Sequence, residues 1–495
     1  MQKPLRELSR DRQIELSEIG KKCRTSTNPL SNVLLKSILP QTNQLAEGGQ
    51  NLSELLKKCG FDREQHDTIR DDLHKGRIGL AHNRLSPQLS IADVERNDVI
   101  DMRSPSDPEI SQLGREAIQK NQVAIVTLAA GVGSRWTQGA GVCKALHPFH
   151  RFNGKHRTFL EVHLAKNRKT SDELNGIVPH IFTTSHLTDS AIRDRLNAEN
   201  NYKFNGPLYI STGQSIGLRT IPMIRDLRFL WEETSQQILD EQQQKVLESG
   251  RHALIDWARS SGEGTDYTDN LPHQCIHPVG HWYEVPNMFL NGTLKRLLEE
   301  HPQLQYLMLH NIDTLGANVD PNFLGMHIQQ DSTLSFEVIT RRLEDRGGGL
   351  ARIDGRPRLV EGLAMPDEES EFGLSYYNSM TTWINIDRLL ASMELTRTSL
   401  ANQSACELAV RNLSKRLPTY ITLKEVKKRW GNGQEDIYPV TQFEKLWGDM
   451  TSLPEISCSF FVSPIQRGQQ LKSQAQLDGW KRDGSAEHVN SLCRW

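Results

Sequence analysis

No stretch of this 495-residue chain approaches the ~20 consecutive apolar residues of a membrane-spanning helix. Its first residues, MQKPLRELSRDRQ, carry charges where a secretory leader would carry an apolar core. Neither sign of charge is in excess. With 59 basic and 61 acidic residues the net charge is -2, which argues against a nucleic-acid binder steered by its electrostatic field. Cysteine is scarce and scattered, at Cys23, Cys59, Cys143, Cys275, Cys406, Cys458 and Cys493, with no C-x-x-C pair. That pattern argues against a disulfide framework or a zinc site and for reduced thiols in a cytoplasm. Two widespread phosphate loops are missing as well. No glycine loop ends in Gly-Lys-Ser/Thr, as a P-loop must. A dinucleotide fingerprint begun at Gly131 would need a third glycine where Trp136 stands, which counts against an NAD-dependent oxidoreductase.

What is present is centred on Gln122–Pro148. Val123–Leu128 is an apolar, β-branched run that reads as a buried strand of a parallel sheet. The loop Ala129-Ala130-Gly131-Val132-Gly133-Ser134-Arg135 follows it directly. Glycines let a backbone approach a ligand and offer its N–H groups, and Arg135 and Lys144 add two cations within reach. A backbone nest with two cations suits a triphosphate. Further on, Gly176–Ser185 reads as a second strand, Thr188-Asp189 as a helix start and Pro207–Ile210 as a third strand. This β-α-β alternation predicts an open, mostly parallel sheet, with ligands beyond the carboxyl ends of its strands.

A further strand, the apolar Tyr306–His310, runs straight into Asn311-Ile312-Asp313. A carboxylate at that position is well placed to hold Mg²⁺ against phosphate oxygens, and one suffices when phosphates supply other ligands. Ser335–Thr340 is another strand, followed by Arg341 and Gly347-Gly348-Gly349; Asp354-Gly355 signals a hairpin. Glu361 and Asn378 are candidates to grip hydroxyls, and His277–Pro286 is a Pro/Gly turn carrying aromatics. His147, His150, His156 and His163 lie at spacings that favour a solvated loop over a metal site. Residues 1–115 read as helical and polar. Residues 231–262 read as a surface helix, Lys427–Trp430 as a solvated basic turn, Phe443–Trp447 as a helix, and the tail after Pro464 as polar and partly disordered.

Several of these motifs, in order over roughly residues 120–450, resemble the UTP–glucose-1-phosphate uridylyltransferase family of UDP-sugar pyrophosphorylases. The loop Leu128–Arg135 with Lys144 is similar to that family's L-x-G-G-x-G-T-R/S followed by Pro-Lys. Pro278-Val279-Gly280-His281 resembles its P-P-G-H-G, Glu337–Gly349 its E-V-T-P-K-T…G-G, and Tyr377–Asn385 its F-N-T-N-N-L-W-V-N. The resemblance implies an α/β fold: a GT-A-like, Rossmann-type core with a mixed, mostly parallel sheet, an N-terminal helical region over 1–115, a catalytic domain over 116–400 and a small C-terminal α+β part over 401–495. It implies that UTP and a sugar 1-phosphate react to give a UDP-sugar and pyrophosphate. UDP-glucose is the expected product, with a UDP-N-acetylhexosamine pyrophosphorylase or a non-catalytic UDP-sugar-binding protein as alternatives.

Residue by residue, the resemblance puts Ala130, Gly131, Gly133, Ser134, Gly280 and His281 on the nucleotide. It puts Arg135, Lys144 and Arg341 on the chemistry, Asn311, Gly348, Glu361 and Asn378 on the sugar, and Asp313 on Mg²⁺. No nucleic-acid or membrane partner is expected, and a cytoplasmic location is. The chain also departs from the pattern. Ala130 and Cys143 replace a glycine and a proline of the loop. Trp282-Tyr283 follows the base motif, where it would narrow the pocket. Arg341 takes the place of a lysine, and Thr441 that of a late lysine after Pro439-Val440, Lys445 being the nearest.

Overall fold

The computed structural model describes residues 51–104, 107–133, 136, 143–233, 241–429 and 435–495. The helical face around Leu30–Leu39, Ser134, Arg135 and Trp430 lie outside these. Two compact units emerge. One takes the described part of Met1–Ala81 with Ile216–Val279 and Ile421–Phe443; the other takes His82–Ser215, Gly280–Tyr420 and Glu444–Trp495.

The first unit is a helical body around short strands. Helices Leu52–Lys58, Arg63–His74, Ile224–Glu233 and Glu241–Ser261 belong to it, with strand Ile216–Leu218 antiparallel to Ile276–Pro278. Leu56, Leu218, Ile221, Ala258, Cys275 and Val440 form its core. Thr441 is buried here, and its N–H and C=O exchange hydrogen bonds with Thr220 at 2.9 and 3.0 Å. Two expectations fail at this point. Lys427–Arg429 is not a turn but the end of strand Tyr420–Arg429, and the strand Glu435–Glu444 runs through Phe443 where a helix was expected. These strands pair with each other, and apolar Val426 and Val440 anchor them, so tertiary burial overrides the local charge and turn signals.

The second unit carries the sheet. Its main strands, in chain order, are β1 (Val123–Leu128), β2 (His180–Thr184), β3 (Leu208–Thr212), β4 (Tyr306–Asn311), β5 (Leu334–Thr340), β6 (Tyr376–Asn385) and β7 (Cys458–Val462). Spatially they run β3-β2-β1-β4-β6-β5-β7, with Ile100–Asp101 at the β7 edge. β1 pairs parallel with β2 and β4, β2 with β3, and β5 with β7; β6 alone is antiparallel to its neighbours β4 and β5. The sheet is therefore mixed and mostly parallel. Every residue of β1 is buried, as its continuous apolar run requires of a strand covered on both faces. Four helices matter below: α1 (Pro108–Gln119), α2 (Phe159–Leu174), α3 (Asp189–Ala198) and α4 (Pro321–Gln330). Thr158 caps α2 by accepting from Glu161 N–H at 3.1 Å. The hairpin foreseen at Asp354-Gly355 joins Gly349–Ile353 to Arg356–Val360.

The histidine-rich stretch is not a solvated loop. Pro148–Phe152 and Lys155–Thr158 form a hairpin, and His163 lies on α2, fully buried. The tail is ordered too. Arg467 donates to both Glu337 carboxylate oxygens, at 2.7 and 2.8 Å, and to Asn318 Oδ1 at 2.7 Å. Leu471, Trp480 and Val489 are buried behind it. The polar composition hid this because the tail docks through a buried ion pair as well as through apolar residues. Among the described residues no helix is long and apolar enough to cross a membrane.

Candidate functional site

The carboxyl ends of β1 and β4 lie side by side, since the strands are parallel and in register up to Leu128–Asn311. Their loops therefore meet. Lys144, arriving from the glycine loop, sets its ammonium 2.6 Å from Asp313 Oδ2. Both side chains are largely buried, at 7% and 14% exposure, so the attraction is little screened by solvent. Gly133 shapes the approach: with φ +72°, it passes so close that a Cβ would sit 2.4 Å from Lys144 Cβ. Lys144 N–H donates to Val132 O at 2.8 Å, which ties the two ends of the loop together. Gly131 is exposed, with nothing within 4 Å of where its Cβ would be, and Ala130 O accepts from Ser185 Oγ at 2.7 Å. Ser134 and Arg135 lie outside the described residues.

A second group of candidates gathers around Trp447–Ser452. Gly280, at φ +97°, packs against Lys445; a Cβ there would meet Lys445 O at 2.2 Å. This close pass delivers His281, whose Nδ1 accepts from Trp447 N–H at 3.0 Å and whose Nε2 therefore carries the proton. Burial, aided by the nearby Lys472 ammonium, pushes His281 down to about 4, so it is neutral at pH 7. Glu361 accepts from Gly448 N–H at 3.2 Å, and burial pushes its carboxyl up to about 7. Asp449 is raised well above the usual carboxylate range, first by burial and then by Glu361, and it accepts from Tyr420 OH at 3.0 Å.

The remaining candidates are held more tightly. Arg341 is 5% exposed and donates to Asp345 O at 2.9 Å, Gly348 O at 3.1 Å and Glu371 at 3.2 Å. Its guanidinium braces the glycine turn that contains Gly348. Asn378 is buried and accepts from Met380 N–H at 2.9 Å. Asn311 closes β4, its carbonyl accepting from Thr314 N–H at 3.0 Å. Trp282 and Tyr283 pack into the interior. Both are buried, Trp282 donating to Met450 Sδ at 3.1 Å and Tyr283 OH pairing with Ser414 Oγ at 3.0 Å.

One cation escaped the sequence reading. Lys472 lies in the polar tail after Pro464, and its Nζ donates to Tyr377 OH at 2.5 Å. Its charge is felt by both His281 and Glu361. The preceding residue, Leu471, donates its N–H to Asp313 O at 3.0 Å. Lys472 thus stands between the Asp313 end of the site and the Glu361 end. Lys445, nearest in sequence to the position of the missing late lysine, is buried and donates to Leu417 O at 3.0 Å and Thr419 Oγ1 at 2.8 Å. Nothing in the local sequence around Lys472 marks it as part of a site.

Asp313 offers a fit for a divalent cation. Its Oδ1 is buried with no hydrogen-bond partner among the described residues, while Oδ2 is neutralised by Lys144. No group of three or more His, Cys, Asp or Glu side chains is placed to hold a metal among the described residues. A hard ion with a single protein carboxylate, completed by substrate phosphates and water, suits that donor set.

Residues 265–413 match the UTP–glucose-1-phosphate uridylyltransferase family. Over that segment, just under a third of its length, the chain is similar to this UDP-sugar pyrophosphorylase family. The match takes in Gly280, His281, Asp313, Arg341, Glu361 and Asn378 but not the β1 glycine loop. The UTP–glucose-1-phosphate uridylyltransferase of Pyrus pyrifolia is 31% identical over 124 residues, 24% of this chain and 26% of that protein. That of Saccharomyces cerevisiae is 29% identical over 148 residues, 28% of this chain and 29% of its own. The matched segment thus spans about a quarter of these curated relatives. Solved structures extend the likeness in fold. A Trypanosoma brucei UDP-N-acetylglucosamine pyrophosphorylase superposes with a TM-score of 0.56 at 15% identity, over 95% of this chain and 84% of that one. A UDP-glucose phosphorylase from the same organism gives 0.53 at 18% identity, over 85% and 75%.

Proposed function

We propose that this UDP-sugar pyrophosphorylase homologue is a uridylyltransferase that joins UTP and a sugar 1-phosphate into a UDP-sugar and releases pyrophosphate. The observation that carries the reading is the Lys144–Asp313 pair at the adjoining ends of β1 and β4. The sugar-phosphate oxygen attacks the α-phosphorus of UTP in line and pyrophosphate departs, so no protein nucleophile is required. The protein has to align the two phosphates and offset charge at the reacting phosphorus. Lys144 and the backbone of Gly131–Gly133 take the triphosphate, with Ser134 and Arg135 of the same loop. Mg²⁺ held by Asp313 would supply Lewis-acid neutralisation of phosphate oxygens. Lys472 adds a further cation near the sugar-phosphate side. His281, neutral with a donor on Nε2, suits a uracil carbonyl. Glu361 and Asn378, with the Gly348 turn and Asn311, serve the sugar hydroxyls, and Arg341 acts through that turn.

The curated relatives that match in sequence are UTP–glucose-1-phosphate uridylyltransferases, which favours glucose 1-phosphate as substrate. N-acetylglucosamine 1-phosphate is the competing substrate. The test is pyrophosphate release from UTP and Mg²⁺ with each sugar phosphate in turn. Release with glucose 1-phosphate is expected. Release only with the N-acetylated sugar would change the product, and silence with both, in protein that still binds UDP-sugars, would overturn the enzymatic reading.

A further inference from the structure

Beneath the Asp313 loop lies a buried polar layer that the transfer reaction does not use. His163 and Lys166 stand one helical turn apart on α2 and share a face. His163 Nε2 donates to Ile312 O at 2.9 Å, so its proton is on that nitrogen. Lys166, fully buried, donates to Leu315 O at 2.6 Å and also to Ala317 O. From the tail, Leu471 N–H takes Asp313 O at 3.0 Å. The carbonyls on both sides of Asp313 are therefore held, as is its own.

A second line of bonds arrives from under β1, and its direction can be deduced. The Asn167 amide nitrogen donates to Val178 O at 2.9 Å and to His180 Nδ1 at 3.3 Å. His180 is then an acceptor on Nδ1 and a donor on Nε2, which reaches Thr127 Oγ1 at 2.9 Å. The single hydroxyl proton of Thr127 must point onward to His310 Nε2, at 2.8 Å. His310 consequently keeps its proton on Nδ1, facing Thr314 O at 3.4 Å. Burial holds all three imidazoles neutral at pH 7, with His180 pushed down to about 3, so this ordering persists.

We propose that this cradle positions Asp313: His163 and Lys166, helped by the Asn167–His180–Thr127–His310 line, fix the loop so that one carboxylate oxygen stays on Lys144 and the other stays turned toward the metal. The metal part of this statement rests on the function proposed above. Supporting groups behind a metal ligand are worth about 10–100-fold in metal affinity when removed. The four side chains that touch the loop or its line, His163, Lys166, His310 and Thr127, are positioning residues, since their bonds go to the loop backbone or to one another.

The test compares His163→Leu, which removes the donor, with His163→Gln, whose amide nitrogen can replace Nε2, and with Lys166→Met. Thr127→Val, a smaller change, is the reserve should Lys166→Met not fold. Two readouts are taken on the full chain: amide hydrogen exchange over residues 311–318, and Mn²⁺ affinity by paramagnetic resonance in the presence of UTP. His163→Leu and Lys166→Met should speed exchange in that segment, leave β6 unchanged and weaken Mn²⁺ by about tenfold. His163→Gln should restore most of both. Unchanged exchange over 311–318 in folded His163→Leu and Lys166→Met, or loss of protection spread evenly through the sheet, would overturn the cradle. Faster local exchange with unchanged Mn²⁺ affinity would sustain the cradle and instead overturn the metal role of Asp313.

Discussion

Two ends of the site in the second unit handle charge in opposite ways. At the Lys144–Asp313 end, opposite charges meet at 2.6 Å in a largely buried pair, so each ion offsets the other. At the Glu361–His281 end no opposite charge is paired with either group among the described residues, and desolvation disfavours charge: the carboxyl rises to about 7 and the imidazole falls to about 4. Ionic groups are useful where charged phosphates must be gathered and a leaving group stabilised. Neutral donors and acceptors are useful where hydroxyls and a base must be told apart by hydrogen bonds, because unpaired buried polar groups penalise the wrong ligand. The contrast supports one end for phosphates and the other for the sugar and base.

The contrast can be broken most severely at Asp313. Asp313→Ala is expected to cut pyrophosphate release by about 10³-fold, with little loss of UDP-sugar binding. A variant within tenfold of the parent would remove Asp313 from the chemistry. Lys144→Met should cost about 10²–10³-fold. Because the two side chains form one pair, the double variant should lose less than the product of the single losses; strict multiplicativity would mean that they act independently. Lys472→Met should cost about 10²-fold and act mainly on the sugar-phosphate step. An unchanged rate would confine Lys472 to its bond with Tyr377.

Glu361→Gln is the mildest change and sharpens the comparison most. It should raise KM for the sugar phosphate about tenfold while leaving KM for UTP near its parent value. It also carries a pH signature. The carboxyl ionises near 4.5 in an unfolded chain and near 7 when folded. The parent therefore has its full share of stability below about pH 4.5 and loses it as pH rises toward 7. The glutamine variant has no such loss. Its Tm relative to the parent should rise between pH 5 and pH 8, and a flat difference would show that Glu361 is not buried as a neutral acid.

Parts of this arrangement were readable from one dimension. β1 and β4 announced themselves because a strand covered on both faces reads as a nearly continuous apolar run, and Val123–Leu128, Thr127 apart, and Tyr306–Leu309 do. Asp313 stood out because a polar group at the end of such a strand emerges where the loops gather. Asp354-Gly355 was legible because few dipeptides suit a tight hairpin. The misreadings share another cause. His163 and Arg467 are polar residues that this protein buries, and polarity along the chain reads as surface. Lys427–Arg429 read as a turn because charge masked the strand that Val426 anchors.

The sequence by itself determined the mixed, mostly parallel α/β character, the order of the main strands along the chain and the loops on which the candidates sit, since hydrophobic period and turn chemistry are local properties. Only the tertiary structure decided which candidates meet. It set Lys144 on Asp313 and spent Arg341 on its own turn. It brought Lys472 in from a polar tail and, through desolvation, pushed Glu361 up to about 7 and His281 down to about 4. Those outcomes depend on distance and dielectric between residues far apart in the chain, and no local pattern encodes either.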